Sequence, residues 1–192
     1  MRQSKALLPF LILCLASSGV FAAGVGKGRT QSIFRADFVT LAKNRILLKL
    51  DVSQAMAGVP TNTTGTRNDD VGGLNVSVTL NGTEFTETFA SNGRVNTATF
   101  KARLVANGQI LLIDLRGLDL PTILGLDSTV AGKNLNVSLD VLVSVSSPED
   151  PDTGEVPSDG VQADLFDGGY DYKYSQKADR FAQGRGFPSN KP

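Results

Sequence analysis

The sequence predicts an all-β fold, an antiparallel meander that forms a two-sheet β-sandwich of about seven strands. From Phe34 to Val145, apolar and polar residues alternate with a period of two, which is typical of strands with one buried face. Three Asn-Gly pairs, beginning at Asn81, Asn92 and Asn107, separate alternating runs, and both residue types tolerate the positive φ of a tight hairpin turn. Helical periodicity is nearly absent, so strands must supply the core.

The alternating runs place the strands in chain order. The first two are expected at residues 34–42 and 45–52, on either side of a weaker turn at Lys43-Asn44. The Asn-Gly turns then link strands at residues 74–80, 83–89, 94–106 and 109–116, and the last strand covers residues 134–145. Residues 119–125 are expected to form one helical turn that plugs an end of the sandwich, because Pro121 begins it and Gly125 ends it.

The two halves of this region share a weak repeat. Phe38, Ile46 and the segment that starts at Leu74 recur as Phe100, Ile110 and the segment that starts at Leu135, at offsets of 62, 64 and 61 residues. Such a repeat suggests an internal duplication with pseudo-twofold symmetry. The alternative is that strand-rich sequences share short apolar motifs by chance.

Residues 1–22 have the pattern of a secretory signal peptide. Arg2 and Lys5 precede an apolar run over residues 6–16, and small residues then lead to a cleavage position after Ala22. The run has about half of the roughly 20 apolar residues that a membrane-spanning helix needs. Cys14 lies inside the run and follows a leucine, whereas lipoprotein processing needs a small residue there. We therefore expect a cleaved signal and a product that is secreted, periplasmic or extracellular.

Composition narrows the chemistry of the exported chain. It contains no histidine, and its one cysteine, Cys14, leaves with the signal. The absence of both residue types excludes Ser-His-Asp and Cys-His catalysis and the usual zinc and copper sites. No phosphate-binding glycine loop is present either. We accordingly expect no enzyme activity and no cofactor.

Net charge argues against nucleic acid as a partner. The chain has 19 basic and 19 acidic residues, and losing Arg2 and Lys5 with the signal leaves 17 basic residues against 19 acidic ones. A nearly neutral chain lacks the broad positive field that phosphate backbones require. No second apolar run is long enough to cross a bilayer, so no transmembrane span is expected after cleavage.

Two kinds of carboxylate site remain open. Asp150, Asp152 and Glu155 alternate oxygen donors before and after a glycine, which faintly resembles the start of a calcium loop; a solvated acidic linker is the alternative. A pair of acids is also enough for a glycan hydrolase. Its candidates are Asp69 and Asp70 in a polar loop, together with Glu84 and Glu87 on one predicted hairpin.

Residues 148–192 read as a low-order tail. Eight carboxylates and no basic residue occur from Glu149 to Asp171, basic residues dominate after them, and large aliphatic residues are rare. Tyr170, Tyr172 and Tyr174 alternate with charge. This run is a strand that joins a partner's sheet, a segment that contacts a sugar or another protein, or a set of aromatic residues scattered in a disordered tail.

The predicted organisation has four parts. They are a signal peptide at residues 1–22, a flexible segment at 23–33, the sandwich at 34–147 and the tail at 148–192. The favoured function is a non-catalytic component of the cell envelope or surface that binds a protein or a glycan. A carrier of a small apolar ligand between the two sheets is the alternative, followed by the hydrolase.

Overall fold

The computed structural model describes residues 31–58, 71–158 and 160–189. The fold is all-β, and its ten strands surround one core. The strands are β1 (Gln31–Asp37), β2 (Arg45–Asp51), β3 (Asn75–Leu80), β4 (Thr83–Thr88), β5 (Arg94–Asn96), β6 (Phe100–Val105), β7 (Ile110–Arg116), β8 (Gly132–Ser146), β9 (Gln162–Lys177) and β10 (Phe181–Ser189). Helical structure in these residues is limited to α1 (Leu120–Ile123) and two short 3₁₀ turns, Leu41–Lys43 and Ala55–Gly58.

All ten strands belong to one antiparallel sheet that nearly closes on itself, in the order β4-β3-β8-β9-β10-β1-β2-β7-β6-β5. The two edge strands follow each other in the chain and meet at one end. There the Ala90 amide donates to the Arg94 carbonyl at 2.9 Å, and the Thr97 hydroxyl donates to the Glu87 carboxylate at 3.3 Å. The predicted two-sheet sandwich of about seven strands is therefore not confirmed.

The expected disordered tail accounts for most of this difference. Residues 162–189 form β9 and β10, which lie in the middle of the sheet between β8 and β1, so the prediction was wrong for this segment. Instead of adding to a partner's sheet, the alternating tyrosines complete the chain's own. The segment has few aliphatic residues, but Tyr170 and Tyr172 are fully buried and supply the apolar surface that a strand here needs.

Glycines on β10 give those aromatic rings their space. A Cβ atom on Gly184 would lie 2.5 Å from the Phe34 ring, and one on Gly186 would lie 2.7 Å from the Tyr172 ring. The rings of Phe34 and Tyr172 meet edge to face at 5.1 Å between centroids. Gly184 and Gly186, which made the tail resemble a disordered segment, are thus positions where the rings of Phe34 and Tyr172 pack directly against the backbone of β10.

Most of the other predicted elements are confirmed. At the β3–β4 turn, Asn81 and Gly82 have φ values of 46° and 82°, as the Asn-Gly pair predicts. The predicted strand at residues 94–106 is instead two strands, β5 and β6. These two strands pair with each other, because the chain reverses in a turn where the Thr97 amide donates to the Phe100 carbonyl at 2.9 Å and the Thr97 hydroxyl accepts the Phe100 amide at 3.0 Å.

Strand β1 also begins earlier than expected, because Gln31 and Ser32 already pair with β2. The matching segments of the proposed duplication lie in neighbouring strands, β2 beside β7 and β3 beside β8. The duplication itself stays a prediction.

The two buried tyrosines should respond differently to loss of their hydroxyl groups. Burial raises the pKa of both, so both stay protonated. The Tyr172 hydroxyl bonds to the buried Ser32 hydroxyl, whereas the Tyr170 hydroxyl has no partner among the described residues. Since a lost hydrogen bond costs about 1 kcal/mol and an unpaired buried polar group is itself unfavourable, we expect Tyr172→Phe to lower the unfolding free energy by about 1 kcal/mol.

Tyr170→Phe is the matched control for that prediction. It removes an unpaired hydroxyl of the same type, so this variant should be as stable as the parent or slightly more stable. Urea midpoints measure both effects. Equal destabilisation by the two substitutions would contradict the assignment.

Candidate functional site

A groove of about 560 Å³ crosses the outer face of five neighbouring strands, β1, β2, β7, β6 and β5. Strand alternation places its side chains there, because Phe34, Ile46 and their equivalents point into the core and the residues between them point out. Ile33, Leu47 and Leu112 are the partly exposed aliphatic residues of its floor. This surface is called the basic groove below.

Register fixes how these side chains meet. Ile33 lies directly opposite Leu47, so two of the aliphatic side chains are cross-strand neighbours. Leu112 lies between two basic residues, opposite Lys49 on one side and Arg103 on the other. The groove therefore offers apolar surface flanked by cations that can reach the same ligand.

The electrostatic balance of the lining is strongly one-sided. One carboxylate, Asp114, stands among five basic side chains: Arg45, Lys49, Arg94, Lys101 and Arg103. Asp114 is already paired, since Arg45 Nε lies 2.7 Å from its Oδ1 and Arg116 Nη2 lies 2.8 Å from its Oδ2. The remaining basic side chains of the lining leave the groove positively charged.

The state of Asp114 follows from these contacts. Burial on its own would raise the pKa of this carboxyl group, but hydrogen bonds from Arg45 and Arg116 outweigh it and hold the pKa below its usual range. Asp114 is thus ionised at neutral pH and tied to two arginines. In this position it orients guanidinium groups and is poorly suited to exchange a proton with a substrate.

A second depression of about 550 Å³ continues across the outer face over β1, β10, β9 and the start of β8. Its lining contains four basic side chains, Arg35, Lys133, Lys173 and Arg185, and no carboxylate. It shares Ile33 with the basic groove. The chain as a whole has equal numbers of basic and acidic residues, but these two depressions gather basic side chains on one face of the sheet.

The calcium candidates do not converge. The Asp150 carboxylate accepts the Asp152 amide at 2.8 Å, and the Asp150 amide donates to the Glu155 carbonyl, so these residues close a turn on themselves. Across residues 31–58, 71–158 and 160–189, no three His, Cys, Asp or Glu side chains are grouped so that they could hold a metal ion.

The two hydrolase candidates within the described residues both lie on β4. Glu84 is exposed on β4, and Glu87 is half-buried on the same edge strand, where it accepts the Thr97 hydroxyl. Asp69 and Asp70 lie outside the described residues, as does the predicted cleavage position at Ala22.

The tyrosine candidates take different positions. Tyr170 and Tyr172 are buried in the core and present no surface to a partner. Tyr174 is half-buried and lines the second depression.

Sequence reasoning did not find the groove. Its signal was present as basic residues at outward positions of amphipathic strands, such as Lys101 and Arg103 on β6. That pattern is ordinary for solvated strand faces, and it becomes informative only when the sheet order brings β6, β7, β2 and β1 side by side.

Comparisons of the chain with protein-family models, with curated proteins and with solved structures gave no match. Within the described residues, no helix has the length and apolarity needed to cross a membrane. The function is therefore inferred from the residues of the groove.

Proposed function

We propose that this chain is an exported, non-catalytic binding protein of the cell envelope or cell surface, and that the basic groove holds its anionic partner. The observation on which the proposal rests is the lining, where five basic side chains and one already paired carboxylate surround partly exposed aliphatic residues. Export follows from the signal-peptide pattern of residues 1–22.

Charge and apolar surface together favour a binding role. Exposed cations attract and orient an anionic partner, while most of the affinity comes from desolvated apolar contacts beneath them. Ile33, Leu47 and Leu112 offer such contacts on the floor of the groove. The lining contains no histidine, cysteine or second acid to act with Asp114, which supports binding over catalysis.

The alternative carrier function would need room inside the sheet. The interior is occupied by large side chains that are almost completely buried, among them Phe34, Phe89, Tyr170 and Tyr172. A ligand between the walls of the sheet would have to displace them, and native interiors are packed at crystal-like density. The outer groove is therefore the favoured location for a partner.

The test is retention of the mature chain on envelope fractions from its own host. Arg103 is exposed in the groove, so Arg103→Glu should weaken retention about five- to tenfold at low salt, which corresponds to the 1 kcal/mol or so that one exposed charge contributes. The difference should shrink as added salt screens the charges.

Arg180→Glu is the matched control, because Arg180 is also exposed but lies in the β9–β10 turn outside both linings. It makes the same change in net charge and should leave retention as in the parent. Equal loss with both variants, or no retention of the parent at any salt concentration, would refute the proposal.

A further inference from the structure

The basic groove and the second depression form one continuous surface. A single row of cross-strand partners connects them, and each neighbouring pair is set by the register of the sheet. From β9 to β5 the row consists of Lys173, Arg185, Ile33, Leu47, Asp114, Lys101 and Asn96. This row, with the other residues that line the two depressions, is called the track below.

The dimensions of the track suit an extended ligand. Its row crosses seven strands, and six spacings of about 4.8 Å give a length of about 29 Å along the sheet surface. The two linings together contain nine basic side chains and one carboxylate, the arginine-paired Asp114. A single anionic group would engage a small part of this charge, whereas a chain of regularly spaced anions would engage it along its length.

Acidic side chains border the track without entering it. On β9, Asp164, Asp167 and Asp171 are exposed and precede Lys173 along the strand, so they lie to one side. Like charge at that border disfavours a polyanion that drifts off the row, and thus keeps it directed across the strands.

The position of the track on the face of the sheet selects among polyanions. From β9 to β6 every strand of the row is paired on both sides, so there the surface presents side chains, and the one strand with an open side is β5 at the end of the row. An acidic peptide would find no partner there for its own backbone groups, which it would find at a sheet edge. A single-stranded nucleic acid needs a series of aromatic platforms for its bases; the basic groove contains none, and the aromatic residues of the second depression are the half-buried Tyr174 and the buried Phe34.

We propose that the track binds a linear acidic glycan, a chain of sugars with regularly spaced carboxylates. Its carboxylates meet Lys101, Lys173, Arg185 and the other cations of the track, and its apolar ring faces contact Ile33, Leu47 and Leu112. This inference rests on the proposed function and adds the class of partner and the direction in which the partner lies.

Oligomers of galacturonic acid in a length series are the probe, with fluorescence anisotropy of the labelled oligomer at low salt as the measurement. Affinity should rise with each added sugar until the oligomer spans the track and then level off. Neutral maltooligosaccharides of the same lengths should not bind.

Substitutions at the two ends separate the track from a local site. Lys101→Glu in the basic groove and Lys173→Glu in the second depression should each weaken binding of the longest oligomer about tenfold, and Arg180→Glu should leave it unchanged. Lys173→Glu should have little effect on a dimer that occupies the basic groove.

Four results would overturn the inference. Three of them are affinity that does not depend on oligomer length, binding of long oligomers that Lys173→Glu leaves intact, and polyglutamate that binds as tightly as a uronate of equal length. None of them would refute the proposed function, because that function is tested by a separate experiment. In it, retention on envelope fractions should be weakened by Arg103→Glu and unchanged by Arg180→Glu. The fourth result is failure of every acidic oligomer to bind, which would likewise refute the acidic glycan and leave the proposed function standing.

Discussion

A chain that ends at Ser158 should fail to fold, although it retains every strand that the sequence predicts. The truncation removes β9 and β10, and with them the pairing partners of β8 and β1 in the middle of the sheet. It also removes the buried side chains of Leu165, Phe166, Tyr170 and Tyr172. Each large buried side chain contributes roughly 1.5–3 kcal/mol, so losing four approaches the about 5–15 kcal/mol by which a domain is stable.

Far-ultraviolet circular dichroism and urea unfolding measure this effect. The truncated chain should show no cooperative transition, while a chain that ends at Ser189 keeps all described strands and should unfold like the full chain. A cooperative transition in the shorter chain would show that β1–β8 form a stable unit without the segment, contrary to the sheet order.

Gly184→Ala should be the most damaging single methyl group that can be added to β10. The new Cβ would lie 2.5 Å from Phe34 Cε1 and 2.9 Å from Tyr174 Cβ. The Phe34 ring is held edge to face against Tyr172, and the Cβ of Tyr174 can move only together with its strand backbone. Overpacking of this kind costs typically 1–3 kcal/mol, and we expect about 2–3 kcal/mol, measured as a lower urea midpoint at unchanged slope.

Gly132→Ala is the matched control for this substitution. Gly132 also lies in a strand and is not among the residues with positive φ, but the nearest atoms to its new Cβ would be those of Leu135 at 3.6 Å, an ordinary contact. Its unfolding free energy should change by no more than about 0.5 kcal/mol. Equal effects at both positions would mean that the Phe34 ring does not limit Gly184.

A double-mutant cycle connects the cost to its cause. In a Phe34→Leu background the ring is gone, so Gly184→Ala should cost clearly less than in the parent. An undiminished cost would place the strain elsewhere, for example at Tyr174.

The fold class and most strand positions could be predicted because they depend on local pattern. Alternation in β3 and β7 and the Asn81-Gly82 turn each report on their own neighbourhood. The sheet order could not be predicted, since it depends on pairs such as Ser32 with Gly186, which lie 154 positions apart and leave no local pattern in the sequence. Strand β10 was not predicted because Gly184 and Gly186 leave space for the aromatic rings of Phe34 and Tyr172 on other strands. From the local sequence alone, glycine indicates a turn or disorder.

The candidate site was hidden for the same reason. Lys101, Arg45 and Lys173 are ordinary outward residues of three strands that are far apart in the chain, and their shared surface exists only in the assembled sheet. The chain has 19 basic and 19 acidic residues, so its net charge does not show that many of the basic residues are gathered on one face of the sheet. A ligand on that face meets mainly the basic residues.

The central position of β9 and β10 also constrains when the protein can acquire its shape. These strands emerge from the ribosome after the other eight. Until they do, β1 lacks its partner β10 and β8 lacks its partner β9, so the two parts of the sheet remain unconnected. Contacts between residues so far apart in sequence make folding slow, because the entropy cost of closing a large loop comes before the stabilising contacts can form. We therefore expect the nascent chain to stay unfolded during synthesis, which is the state that the proposed export through a narrow channel would require.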